Sequence, residues 1–144
     1  MKFVSVLSLA LVAASFVFVE PALVQETPNG FECTFESGNA GTYEDGKFNS
    51  KAPARLTFKI AEIDLDGQSA SLLIDGRDNP GTLKIVRAIN ANHFLEVVNE
   101  GFLNLTTIYD KDPAMGSHPA VHSRHFGLLG QPVFAQYAGS CTVK

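Results

Sequence analysis

The groups most capable of chemistry are concentrated in one short stretch, His118–His125. It contains three of the four histidines of the chain, together with Arg124. Imidazole nitrogens are common ligands of zinc, copper and nickel, and three of them plus a water would complete a tetrahedral site. The histidines are spaced four and three residues apart, so a helix would place His118, His122 and His125 on one face. The helical interpretation therefore predicts a transition-metal site.

In an extended strand the same residues are arranged differently, because successive side chains point to opposite faces. His122 and Arg124 then share one face and His125 lies on the other, so the imidazoles do not converge. We call His122, Arg124 and His125 the His-Arg cluster. We expect it to hydrogen-bond across strands to a carboxylate such as Glu96 or to backbone carbonyls, because an unpaired buried charge is costly. The His-Arg cluster is also compatible with a binding surface for an anionic group.

The elements that position these side chains belong to a chain of 144 residues with 45% apolar residues, which is enough for one hydrophobic core. The formal net charge of −4 comes from 15 acidic and 11 basic residues interspersed along the chain. No basic stripe is available to neutralise phosphates, and we therefore expect no nucleic acid partner.

The N-terminus is typical of a secretory signal peptide, because one lysine is followed by an apolar run over Phe3–Val19. We assign residues 1–24 to a signal helix, with the mature start within Phe16–Glu26, and residues 25–144 to a single domain. At about 17 residues the run is also just long enough to act as an uncleaved anchor. We expect a periplasmic or secreted protein with no membrane contact beyond this segment.

Cys33 and Cys141 are the only two cysteines, and they lie near the two ends of the predicted domain. In an exported protein, two cysteines so placed predict one structural disulfide. A redox pair is disfavoured because no Cys-x-x-Cys motif or neighbouring basic group activates either thiol. The bridge is expected to join the first strand of the domain to the last.

Short runs of alternating apolar and polar residues fill the predicted domain, which indicates strands rather than helices. Ala54–Ile63 and Ser69–Asp75 flank Asp66-Gly67 and predict a β-hairpin with a type I′ turn. The segment Gly38–Ser50 is rich in turn residues and is predicted to be a long loop. Seven or eight such strands predict an all-β antiparallel meander, closed as a lipocalin-like or inhibitor-like barrel or folded as a sandwich.

Two motifs stand in the C-terminal third, AVHSRH at 120–125 and QYAGSC at 136–141. Together with the early Cys33 they resemble a pattern in uncharacterised small exported proteins of alphaproteobacteria, an AVHSRH motif followed by a Gln-Tyr-x-Gly-x-Cys ending. The resemblance implies export and a disulfide, and it implies no activity. Where that pattern often has threonine after the last histidine, this chain has Phe126, so any role of that threonine would be absent here.

No catalytic motif accompanies this scaffold. The chain lacks a Gly-x-Ser-x-Gly elbow, and no two carboxylates stand out as a glycoside-hydrolase pair. We predict a secreted or periplasmic binding module rather than an enzyme, without a cofactor, whose partner is a protein or a small anionic ligand. Its architecture would be that of bacterial periplasmic inhibitors. Two alternatives stay open: a histidine site for zinc, copper or nickel, and a hydrolase with an unrecognised site.

Overall fold

The computed structural model describes residues 28–98, 101–128 and 130–144, so the predicted signal helix lies outside the described residues. These ranges contain nine β-strands. They are β1 (Phe31–Glu44), β2 (Lys47–Lys51), β3 (Leu56–Asp64), β4 (Ser69–Leu73), β5 (Gly81–Arg87), β6 (Ala91–Val98), β7 (Phe102–Tyr109), β8 (His118–Leu128) and β9 (Gln131–Val143). No helix within the same ranges is long and apolar enough to cross a membrane.

Eight of these strands form a closed antiparallel barrel. Each strand from β3 to β8 pairs with the next along the chain, and β1 closes the sheet by pairing with both β3 and β9. The additional strand, β2, folds back on the second half of β1. The predicted all-β meander is therefore confirmed, and it closes as a barrel rather than folding as a sandwich.

The hydrophobic core fills the barrel because alternate residues of each strand point inward. The largest fully buried side chains come from five different strands: Phe35, Phe94, Ile60, Ile85, Cys33 and Cys141. The two cysteines are direct partners across β1 and β9 and form a disulfide. The predicted bridge between the first and last strands is confirmed, and it lies at the seam where the barrel closes.

The segment Gly38–Ser50 is not the long loop that its composition predicted. β1 continues to Glu44 and turns through Asp45 (φ 50°) and Gly46 (φ 76°) into β2. Positive φ at both central residues is the geometry of a type I′ turn, which matches the twist of the two strands. The turn residues in this segment therefore mark a hairpin, which extends beyond one end of the barrel.

The hairpin around Asp66-Gly67 is confirmed, but its turn is not type I′. The carboxylate of Asp64 accepts hydrogen bonds from the backbone N–H groups of Asp66 (3.1 Å) and Gly67 (2.8 Å), and the positive φ falls on Gln68 (54°). The pairing of β3 with β4 also shifts register between Ala61 and Asp64. The side chain of Asp64 thus replaces the backbone bonds of a tighter turn.

β1 and β9 approach each other very closely at Gly139. A Cβ atom at this position would clash with the carbonyl oxygen of Thr34 and lie 2.7 Å from the Cα of Phe35. We expect Gly139→Ala to lower the free energy of unfolding by about 2 kcal/mol or more, because backbone rather than a flexible side chain must move. Urea denaturation of the two proteins measures this difference.

The matched control for this prediction is Gly127→Ala on β8. The nearest atom to a Cβ at position 127 would be the carbonyl oxygen of Gln131, at an ordinary contact distance of 3.9 Å. We expect this control to change stability little. Equal losses in the two variants would contradict the steric explanation for Gly139.

Candidate functional site

The stretch that holds three histidines is the strand β8, which decides where each imidazole points. His118 and His122 face the barrel interior, with 8% and 3% of their surface exposed, and His125 is exposed on the outer face. Four residues of strand separate the two inner histidines by about 13 Å. Across the described residues, no group of three or more His, Cys, Asp or Glu side chains is placed to hold a metal ion. The metal hypothesis stays a prediction, without a convergent set of ligands in this part of the chain.

Cross-strand register determines what surrounds Arg124. Its direct partners are Asn104 on β7 and Ala135 on β9, and Ala135 in turn pairs with Ala40 on β1. Two neighbouring positions of the inner face thus carry only methyl groups. Because these side chains are so small, space is left beside the guanidinium group.

One level deeper in the barrel, three side chains form a hydrogen-bonded chain. The Nε of Arg124 donates to Nε2 of His122 at 3.2 Å, and Nδ1 of His122 lies 2.8 Å from the hydroxyl oxygen of Thr106. A guanidinium group can only donate, so Nε2 is the acceptor and the neutral ring carries its proton on Nδ1. Thr106 therefore accepts a hydrogen bond from His122, and His122 fixes the orientation of Arg124.

His122 is neutral because of its surroundings. Three aromatic rings lie around the imidazole, with centroid distances of 5.2 to 5.8 Å: Phe35, Phe58 and Tyr137. Burial, and to a smaller extent the charge of Arg124, lower the pKa of His122 to about 3. The ring thus acts as an uncharged acceptor for Arg124.

Glu96, the carboxylate that the sequence suggested as a partner of the His-Arg cluster, binds elsewhere. Its Oε1 lies 3.4 Å from Nη1 of Arg77, and its Oε2 accepts a 2.7 Å hydrogen bond from Asn104. Asn104 stands between Glu96 on β6 and Arg124 on β8 in the register, so about two strand spacings separate the two charges. None of the ion pairs between described residues involves Arg124.

Arg124 lines a cavity of about 540 Å³ at the end of the barrel from which the β1–β2 hairpin projects. We call it the mouth cavity. Most of its other inward-facing wall residues are small or apolar: Ala40, Thr42, Phe126, Val133, Ala135 and Tyr137. Lys51 and Glu44 add opposite charges to its lining. The volume is typical of small-molecule sites, which occupy roughly 300 to 1,000 Å³.

The sequence identified part of this site and missed the rest. Arg124 and His122 were candidates because of their residue types, whereas Tyr137 and the wall formed by β1 and β2 were not. The inward positions Ala40 and Thr42 belong to the segment predicted as a loop, and small residues there gave no apolar pattern. The usable signal was the dipeptide Asp45-Gly46, which marks a hairpin turn.

The fold and the site define a small antiparallel β-barrel, closed by a disulfide, with an arginine in an apolar cavity at one end. Compared with known proteins, the chain matches no protein-family model and no curated protein. The cavity and the groups around it are then the guide to function.

Proposed function

We propose that this barrel is a periplasmic or secreted binding protein, whose ligand combines an anionic group with an apolar body and occupies the mouth cavity. The observation that carries the proposal is the position of Arg124. Its side chain is partly buried beside apolar walls and donates a hydrogen bond to the neutral imidazole of His122. It forms an ion pair with no described carboxylate. A permanent charge in such a place is costly unless an anion joins it, and the Nη groups of arginine suit a carboxylate or phosphate.

Two further observations support binding, without turnover, outside the cytoplasm. Both ring nitrogens of His122 are engaged, by Thr106 and by Arg124, so this imidazole is not free to act as a general base. The disulfide of the seam is of the kind that persists in oxidising compartments, in keeping with the apolar run over residues 3–19. The resemblance to small exported proteins points to the same location.

The test compares two aromatic probes that differ only in charge, 2-naphthoate and 2-naphthamide, by isothermal titration calorimetry. We expect the carboxylate to bind about 10- to 100-fold more tightly than the amide, the usual value of a hydrogen bond to a charged group. The variant Arg124→Gln is expected to lose this preference, because glutamine keeps polar atoms but no charge. Arg55→Gln, which removes an exposed arginine elsewhere, should keep it. Equal binding of the two probes to the unmodified protein, or an undiminished preference in Arg124→Gln, would overturn the proposal.

A further inference from the structure

The opposite end of the barrel contains a second cavity, which has no part in the proposal above. β8 begins at His118 and reaches Arg124 six residues later, so about 20 Å of strand separates the two. The second cavity has a volume of about 220 Å³, and its polar lining residues include His118, Arg87, Asn92 and Asp110. We call it the basal cavity. It is large enough for a molecule of only a few non-hydrogen atoms.

His118, which lines the basal cavity, has a ring nitrogen that can accept a hydrogen bond. Its Nδ1 lies 2.9 Å from the backbone carbonyl oxygen of Tyr109, which can only accept, so Nδ1 carries the proton and Nε2 of the neutral ring has a lone pair. Every fully buried side-chain nitrogen and oxygen of the described residues has a partner. Nε2 of this largely buried ring has no partner among the described residues, so it keeps some accessible surface. His118 is one of the residues that line the basal cavity. The rings of Phe31 and His118 pack in a T-shaped arrangement, with centroids 5.1 Å apart.

The charges around the basal cavity are balanced. Arg87 supplies one cation and Asp110 one anion, and the ion pairs between described residues include neither of them. Asn92 is the cross-strand partner of Arg87 and adds an amide to the same wall. A ligand that matches this set carries one negative and one positive group a few bonds apart.

We propose that the basal cavity binds a small α-amino acid in its zwitterionic form. The carboxylate of the ligand pairs with Arg87, while its ammonium group donates to Nε2 of His118 and to Asp110. Aliphatic walls from Leu65 and Ile108 contact a short side chain. A simple anion would pair with Arg87 and leave His118 and Asp110 without a ligand contact. A simple amine would contact His118 and Asp110 and leave Arg87 unpaired.

The test uses L-alanine as the probe, with propionate and ethylamine as fragments that lack the ammonium group or the carboxylate. Binding to the purified, disulfide-bonded protein is followed at neutral pH through the imidazole ¹⁵N shifts of His118. We expect a saturable shift with a Kd of about 1 mM for L-alanine, and at least about tenfold weaker binding of either fragment. Absence of a saturable shift, or a fragment that binds as tightly as L-alanine, would overturn the proposal.

Variants identify the groups that bind. Arg87→Gln and Asp110→Asn, both at exposed positions whose change does not disturb the core, should each weaken binding about tenfold. His118→Phe keeps the aromatic packing against Phe31 and should also weaken it, with calorimetry replacing the lost imidazole signal. Arg124→Gln is the control: it should abolish the preference for 2-naphthoate and leave L-alanine binding unchanged, so the two proposals fail separately. Full binding to Arg87→Gln and Asp110→Asn would show that the proposed contacts are wrong.

Discussion

Replacing both cysteines by alanine is expected to lower the free energy of unfolding by about 4 to 5 kcal/mol. Cys33 and Cys141 are 108 residues apart in sequence, so their bond closes a loop that includes nearly the whole barrel. In the chain-entropy description, this cross-link removes conformational freedom from the unfolded state. The bond also joins the two strands whose pairing closes the sheet, and no other covalent link between described residues does so. Urea denaturation of the oxidised protein and of the double variant measures the difference.

A second comparison separates the cross-link from the packing of the two sulfur atoms. Both cysteines are fully buried, so alanine also leaves a small cavity. Chemical reduction of the unmodified protein breaks the bond while keeping both sulfurs, and we expect it to cause most of the loss. If the double variant lost less stability than Gly139→Ala, the disulfide could not be the main constraint on the seam.

The alternation of apolar and polar residues predicted most of the fold, because a strand with one face in a core must repeat every two residues. The segment 38–50 escaped this rule for a physical reason. The inward side chains of β1, Ala40 and Thr42, are small where the barrel opens into the mouth cavity, and every residue of β2 is exposed. Without large apolar side chains on a buried face, neither stretch has an apolar period, although both are strands. The opening of the mouth cavity and the failure of the pattern thus have the same origin.

The same logic explains which features of the candidate site could be predicted. Strand parity correctly separates His122 and Arg124 from His125, because side-chain direction follows from position alone. Register does not follow from one strand, since it depends on which neighbour pairs with which residue. The charge of Glu96 made it a reasonable predicted partner for Arg124. The prediction is wrong because β7 lies between the strands that carry the two residues.

The interior of the barrel also shows why the polar residues near the mouth cavity do not disrupt the core. Glu96, Asn104, Thr106 and His122 all have hydrogen-bond partners among themselves or with an arginine. They form two separate sets, one around Glu96 and one around His122. Satisfied buried polar groups cost little, whereas loss of one member leaves its direct partners unpaired. Burial lowers the pKa of His122, so stability should depend on the protonation state of this imidazole.

Acidification is expected to destabilise the protein through His122. The pKa of this residue is about 3 in the folded protein and 6.5 in the reference state, so below pH 6.5 the unfolded chain takes up a proton that the folded chain does not. The contribution of His122 is therefore complete above pH 6.5 and is lost as the pH falls towards 3. The slope is about 1.4 kcal/mol per pH unit, so about 2 to 3 kcal/mol is lost by about pH 4.5.

The variant His122→Gln isolates this effect, because its amide can accept from Arg124 and donate to Thr106 while staying neutral at every pH. We expect it to lose most of the pH slope of the unfolding free energy between about pH 6.5 and 4.5, whatever its absolute stability. His125→Gln, at an exposed site, should keep the slope of the unmodified protein. The hydrogen bond from Lys144 and its charge lower the pKa of Glu32, so protonation of Glu32 also reduces stability in acid. This loss of stability is the same in all three proteins and cancels in the comparison. An unchanged slope in His122→Gln would mean that the imidazole is not held neutral between its aromatic neighbours and Arg124.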